Sequence, residues 1–148
     1  MMMAADPIFL DTNVLVYATV AESPWYMIAS QAITIRLVAG AELWVSRQVM
    51  REYLATMTRP QTFAQPVPIP DLVGEVRRFD TYFRIAEDTN AVTSSLLDLI
   101  EQIPTRGKQV HDANIVATMR TYGINQLLTH NTADFMRFAH LITVVPLV

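Results

Sequence analysis

Four acidic residues stand where their carboxylates could act together. Asp11 directly follows the apolar run 7–10, and Asp112 opens a segment with the apolar spacing of a helix. Glu52 and Asp134 lie in segments that follow two other apolar runs. Neighbouring carboxylates raise one another's pKa, so all of them stay ionised only if a cation compensates their charge. Because hard cations prefer oxygen ligands, this set predicts a site for Mg²⁺ or Mn²⁺.

Two of these acids also have an ordinary structural interpretation. Asp112 could cap the free N–H groups at the start of a helix that runs to about Tyr122. Glu52 lies just beyond the apolar stripe of a helix over 49–57, where it could be a simple boundary residue. Taken singly, each acid favours the structural interpretation, and the metal site rests on the four together.

The elements that must position these acids alternate between strands and helices. Buried strands are predicted at 7–10, 43–46, 125–129 and 141–145, with 83–85 as a short strand or a connection. After a turn at Thr12 and Asn13, the first helix is predicted to start with the apolar residues 14–17. Further helices are predicted over 25–38 with Ser23 as N-cap, 49–57, 72–82 with Asp71 as cap, from Asp88 or Thr89 to 103, 112–122 and 132–138. The proline-rich segment 59–70 is predicted to be a surface loop. The pattern predicts an α/β fold: one domain over 1–148, with a mainly parallel sheet covered by helices on both faces.

This fold would collect the acids at one edge of the sheet. In open α/β sheets, ligands bind at the carboxyl ends of the strands. Asp11 ends the first predicted strand, and Asp134 follows the strand that ends at Thr129. The helices that carry Glu52 and Asp112 can begin at the same edge. We therefore expect all four carboxylates at one end of one sheet.

Composition and motifs exclude several other chemistries. The chain has no Cys and only four Gly, and it contains no phosphate-binding glycine loop and no nucleophile elbow. Its three His lack the helical spacing of zinc ligands. An aspartyl-phosphate role for Asp11 is disfavoured, because that chemistry usually wants a second Asp where Asn13 stands. The net charge of −3 argues against a broad basic nucleic-acid face, although ten of the eleven basic residues are Arg.

Composition also bears on location and on partners. No apolar run is long enough to cross a membrane and no signal segment is evident, which together with the lack of Cys is typical of a cytoplasmic protein. The consecutive apolar residues 25–28 cannot all be buried by one helix, and Val67 and Ile69 add apolar side chains in the predicted loop. Such patches usually mark partner surfaces. We expect a second copy of the chain, a partner helix, or both.

At this point the motifs, taken in order, resemble those of the PIN-domain ribonucleases, and within them the VapC-like toxins of toxin–antitoxin pairs. Residues 9–14 are similar to the opening motif, and residues 46–52 to the second. His111-Asp112-Ala113 resembles the third motif, and 128–135 the last, while 59–63 with Pro66 resembles a segment common in VapC-like proteins. The resemblance covers nearly the whole chain. Many PIN domains carry Asp where this chain has Asn131.

The resemblance implies a toxin that cleaves tRNA or another structured RNA through a water activated by Mg²⁺ or Mn²⁺. It further implies a small cognate antitoxin, an RNA substrate and a homodimer. The implied catalytic and metal-binding residues are Asp11, Glu52, Asp112 and Asp134, with Thr12, Ser46, Thr129 and Asn131 in support. Glu52 could instead act as a base, and Arg47 or Arg51 could contact RNA phosphates. The alternatives are a PIN-fold RNA-processing or RNA-binding protein that is not a toxin, and a metal-dependent DNA nuclease or phosphatase.

Overall fold

Five short parallel strands form the centre of the molecule. The computed structural model describes residues 5–60 and 65–148. The strands are β1 (Ile8–Leu10), β2 (Leu43–Ser46), β3 (Arg84–Ala86), β4 (Gln126–Thr129) and β5 (Thr143–Pro146), in the spatial order β3-β2-β1-β4-β5. Phe9 of β1 pairs with Trp44 of β2 on one side and with Leu127 of β4 on the other. The three residues of β1 are buried, as expected for the middle strand of a sheet covered on both faces.

Seven α-helices and one 3₁₀ helix connect the strands in the described part of the chain. They are α1 (Thr12–Thr19), α2 (Tyr26–Val38), α3 (Arg47–Met57), α4 (Ile69–Arg77), α5 (Phe79–Tyr82), α6 (Asn90–Gln102), α7 (Gln109–Thr121) and the 3₁₀ helix Thr132–Phe138. No helix in the described ranges is long and apolar enough to span a membrane.

The strand order determines where a ligand can enter. The chain moves from β1 through β2 to β3 in one direction, then returns past β1 to β4 and β5. Since crossovers between parallel strands are right-handed, this reversal places α1–α5 on one face and α6, α7 and the 3₁₀ helix on the other. The direction changes between β1 and β4, and their carboxyl ends flank the crevice in which such sheets bind ligands. Asp11 and Thr129 stand at these two strand ends.

The α/β fold and its parallel sheet are confirmed, but the predicted start of the helix around Asp112 was wrong. Helix α7 begins at Gln109, and Lys108 rather than Asp112 is its N-cap residue. Gly107 makes the preceding turn at a φ of +58°, and the Gln109 side chain accepts a hydrogen bond from the Arg106 N–H at 2.9 Å. Asp112 therefore lies in the first helical turn and its side chain is not used as a cap.

Other helix boundaries also differ from the sequence-based expectation. Helix α4 starts at Ile69, because Pro70 fits the first turn of a helix, and Asp71 lies within that turn. The predicted helix over 72–82 is divided at Arg78 into α4 and α5. Helix α2 begins at Tyr26, since the Ser23 hydroxyl accepts from the Trp25 N–H at 3.1 Å in a turn before the helix. The proline-rich segment has no regular secondary structure at 65–68, and its residues 61–64 lie outside the described ranges.

Candidate acidic active site

Asp11 is the most buried of the four predicted acids, with 8% of its surface exposed. It follows β1 and caps α1, accepting from the Thr12 N–H at 2.8 Å. The other carboxylate oxygen accepts from the Asn13 amide at 3.0 Å and from the Thr129 hydroxyl at 2.8 Å. Burial raises the pKa of Asp11, and the hydrogen bond from Thr129 partly offsets that rise. Asp11 is thus held in one orientation by three donors that favour its ionised form.

Glu52 is tied to the same strand end through Thr12. The Thr12 hydroxyl donates to Glu52 Oε1 at 3.0 Å, which joins α1 to α3. Ser46, predicted as a supporting residue, is buried and caps α3 by accepting from the Val49 N–H at 3.2 Å. Ser46 therefore helps to position the helix that carries Glu52, whereas Glu52 itself lines the cavity described below.

Asp112 reaches the site from the opposite face of the sheet, in the first turn of α7. A buried Gln48 joins this helix to α3: its amide donates to the His111 carbonyl at 2.8 Å, and its oxygen accepts from the Asn114 amide at 2.7 Å. These contacts hold the residues on both sides of Asp112. The sequence analysis missed Gln48 and Asn114. The available signal was the spacing of Gln48 four residues before Glu52, which places both on one helix face.

Asp112 also has a strongly raised pKa. Desolvation and then the charges of Asp134, Asp11 and Glu52, in that order, raise the pKa of Asp112 to about 7, against an opposing effect of Arg137. Three other carboxylates can raise the pKa of Asp112 by repulsion only if they lie close to it. The structure therefore brings the four predicted acids into one electrostatic neighbourhood.

The last predicted motif follows β4. Thr129 is fully buried, and its hydroxyl oxygen accepts from the Asn131 N–H at 3.0 Å, so the turn after β4 is fixed. The backbone N–H of His130 donates to the Asn13 side chain at 3.0 Å, a contact that the sequence analysis did not anticipate. Asn131 and Asp134 are both exposed and both line the cavity. Of these two, Asp134 carries the charge that acts on Asp112.

The acids open into one cavity of about 680 Å³. Its walls include the acidic cluster, which we define as Asp11, Glu52, Asp112 and Asp134, together with Arg59. Arg47 and Arg51, the two arginines predicted as possible phosphate contacts, form ion pairs with acids outside the cavity. Arg47 forms a bidentate ion pair with Glu87, with its Nη2 2.6 Å from the carboxylate, and Arg51 lies 3.6 Å from Asp88. The cations near the acids are instead Arg59 in the cavity wall and Arg137, which acts on Asp112.

The chemistry of the cavity suits a hard divalent cation. All four acidic ligand candidates offer oxygen, and their mutual repulsion is what such a cation would relieve. Within residues 5–60 and 65–148, no three acidic or histidine side chains already stand in coordinating positions. Mg²⁺ often binds proteins through only one or two carboxylates and keeps several waters, so it does not require three converging side chains. Asp11 and Asp112 would supply two such carboxylates.

Comparison with known proteins places this fold and cavity in a family. The family model for the PIN domain matches residues 8–141, and the chain belongs to the PIN-domain family. It is 27% identical over 130 residues to Ribonuclease VapC48 of Mycobacterium tuberculosis, which covers 86% of this chain and 89% of the relative. The predicted membership is therefore confirmed.

Two solved structures share the fold. A toxin–antitoxin complex from Klebsiella pneumoniae matches with a TM-score of 0.66 at 20% identity, over 95% of this chain and 98% of the other. VapC20 of Mycobacterium tuberculosis, described as a Sarcin-Ricin loop cleaving toxin, matches with a TM-score of 0.59 at 19% identity, over 81% and 86% of the two chains. At these identities the structures establish a common fold.

Proposed function

We propose that this protein is the toxin of a type II toxin–antitoxin pair and a metal-dependent endoribonuclease. The observation that carries the proposal is the acidic cluster, whose members line one cavity and raise the pKa of Asp112. The similarity to a ribonuclease of the VapC group supports RNA as the substrate. A structured RNA, such as tRNA or the loop named for VapC20, is the substrate class that we propose.

Asp11 and Asp112 are the proposed principal ligands of Mg²⁺ or Mn²⁺, with Glu52 and Asp134 completing the site. When bound, such an ion supplies an activated water near neutral pH and neutralises charge that develops on the attacked phosphate. Asp11 suits this role because three hydrogen bonds fix its carboxylate. Glu52, which accepts a hydrogen bond from Thr12, would orient the attacking water or accept its proton.

A cation is also needed for the substrate to approach. The acidic cluster would repel a phosphate backbone; Arg59 lines the same cavity, and the charge of Arg137 acts on Asp112. Neutralising the carboxylates therefore serves binding as well as chemistry. This supports metal-assisted hydrolysis over a binding-only role, since an RNA-binding module gains nothing from four clustered acids.

We further infer that a small cognate antitoxin and a second copy of the chain are its protein partners. Similarity to a toxin–antitoxin complex supports the first. Met27 of α2 is 62% exposed and Val38 of the same helix 83%, so this helix offers apolar surface to a partner. Trp25 and Tyr26 are partly buried, which leaves Met27 and Ile28 as the exposed part of the predicted patch.

The experiment that tests the proposal compares RNA with DNA. Purified protein with Mg²⁺ is incubated with end-labelled tRNA, with a sarcin–ricin loop oligonucleotide, and with DNA of the same sequences. We expect cleavage of an RNA at one defined position by the wild type and none by Asp11→Asn. Equal cleavage of DNA would favour the DNA-nuclease alternative. Equal cleavage by both proteins would remove the acidic cluster from the mechanism.

A further inference from the structure

Three aromatic side chains form a cluster at the edge of the acidic cavity. The ring centroids of Tyr17 and Trp25 lie 4.8 Å apart, those of Trp25 and His130 4.6 Å, and those of Tyr17 and His130 5.3 Å. All three side chains are partly buried, so each keeps some surface open to solvent. We call this group the ring cluster.

Asn13 connects the ring cluster to Asp11. Tyr17 lies one helical turn after Asn13 in α1, so both face the same side of that helix. Asn13 donates to Asp11 and accepts from the backbone N–H of His130, at 3.0 Å in each case. The Asn13 side chain thus links Asp11 to the backbone of His130.

Two of the three rings lie in the wall of the cavity. Tyr17 and Trp25 both line the cavity that holds the acidic cluster. Among the described residues, Trp25 belongs neither to the hydrophobic core nor to the side chains packed against it. A tryptophan that packs on two rings in the wall of the acidic cavity offers a flat apolar surface to a ligand.

Stacking is the kind of contact that an acidic cavity can offer to RNA. Carboxylates repel phosphates, whereas an aromatic face attracts a nucleobase without relying on charge. Aromatic side chains recognise unpaired bases in loops and bulges, since only an unstacked base presents its face. We propose that the ring cluster is a stacking platform that holds one unpaired RNA base beside the bond to be cleaved. This inference rests on the proposed ribonuclease function and adds a requirement for an unpaired nucleotide at the cleavage site.

The first test measures cleavage with variants of Trp25. Trp25→Leu removes the stacking surface but keeps an apolar side chain, and Trp25→Phe keeps a smaller ring. We expect Leu to raise KM roughly tenfold, with little change in kcat, and Phe to restore most of the loss. Replacing the stacked nucleotide by an abasic one should weaken the wild type by a similar factor and leave Trp25→Leu unchanged. Trp44→Leu is the matched control, because Trp44 contacts Tyr122 and Glu42 outside this cavity.

The second test does not depend on cleavage. In an Asp11→Asn, Trp44→Phe protein, Trp25 is the single tryptophan, and its fluorescence reports on its surroundings. We expect quenching by a short unpaired oligoribonucleotide in Mg²⁺, and none by the same backbone without bases. Equal quenching by both would overturn the platform, because the contact would then be to the backbone.

The outcomes separate this inference from the proposed function. If the wild type cleaves RNA in an Asp11-dependent way while Trp25→Leu retains its KM, the platform is wrong and the nuclease stands. If Trp25→Leu loses inhibition by the antitoxin while its KM is unchanged, the rings belong to the protein partner, which also overturns the platform. If no RNA is cleaved but bases still quench Trp25, the ribonuclease proposal fails and base binding survives.

Discussion

At the scale of single residues, the site is a balance between burial and repulsion. Asp11 is buried, yet three hydrogen bonds favour its charge. Burial still raises the pKa of Asp11, and burial together with the charges of the other acids raises the pKa of Asp112. A cation bound near either carboxylate would favour its ionised form.

The raised pKa of Asp112 predicts how stability depends on pH in the absence of divalent ions. The pKa of Asp112 rises from 3.8 to about 7 on folding, so between these values the folded state binds more protons than the unfolded state. Stability from this group is complete below pH 3.8 and is lost as pH rises through 7. In EDTA, the melting temperature of the wild type should fall from pH 5 to pH 8. Asp112→Asn should fall less and melt higher at pH 8.

Circular dichroism melts at both pH values check this result. Asp88→Asn is the control, since Asp88 is exposed and lies outside the cavity. If Asp112→Asn melts at a lower temperature than the wild type at pH 8 and shows the same pH dependence, the pKa of Asp112 is not raised in the folded state.

We predict different effects on kcat for substitutions of Asp134 and Asn131, although both residues line the cavity. Asp134 is exposed and acts on Asp112 through its charge, whereas the backbone of Asn131 is fixed by Thr129. Asp134→Asn should lower kcat at least tenfold in limiting Mg²⁺, with partial recovery at high Mg²⁺. Asn131→Ala should change kcat only a few-fold. The reverse order in a steady-state assay would make Asn131 the fourth member of the site.

At the scale of elements, the site depends on the contact between α3 and α7. Gln48 is buried and bonds both the His111 carbonyl and the Asn114 amide, one on each side of Asp112. Gln48→Leu would leave two polar groups without these partners and loosen the helix that carries Asp112. We expect a stability loss of roughly 1–3 kcal/mol and a lower kcat.

Urea unfolding and cleavage assays on the same preparation test this expectation. Gln102→Leu is the matched control, because Gln102 is exposed at the end of α6 and should be nearly neutral. A kcat that stays normal in Gln48→Leu despite lost stability would mean that the α3–α7 contact does not position Asp112.

The same elements show what a sequence can and cannot predict. The strands could be predicted from the sequence, because buried parallel strands are short continuous apolar runs. Asp11 could be recognised as the residue that ends one of these runs. The start of α7 could not be predicted from the sequence, because it depends on the turn at Gly107 and on the hydrogen bond that the Gln109 side chain accepts from Arg106. Gln48 looks like any surface residue of an amphipathic helix until the opposite face of the sheet is in place. The ring cluster joins residues more than a hundred positions apart, which periodicity cannot detect.

At the scale of the whole molecule, an unrestrained toxin should harm its host. Expression of this chain alone should slow growth, and expression of Asp11→Asn should not. Equal toxicity of the two forms, with equal soluble yield on a gel, would assign the growth effect to aggregation or to another surface.

The antitoxin proposal makes a separate whole-molecule prediction. The product of the adjacent small reading frame, expressed together with this chain, should elute with it in size exclusion and suppress cleavage. Without that product, the chain should elute as a dimer. If the chain elutes without that product and stays active in its presence, the antitoxin proposal is wrong and only the dimer proposal remains.

The central claim is that the acidic cluster cleaves RNA through a divalent cation, and the Mg²⁺ dependence of single-turnover cleavage tests it most directly. Rates are measured from EDTA to saturating Mg²⁺ for the wild type, Asp112→Asn and the control Asp88→Asn. We predict no cleavage in EDTA, a saturable rise for the wild type and the control, and a rate at least a hundredfold lower for Asp112→Asn. Cleavage by the wild type in EDTA, or a wild-type Mg²⁺ profile for Asp112→Asn, would contradict the claim.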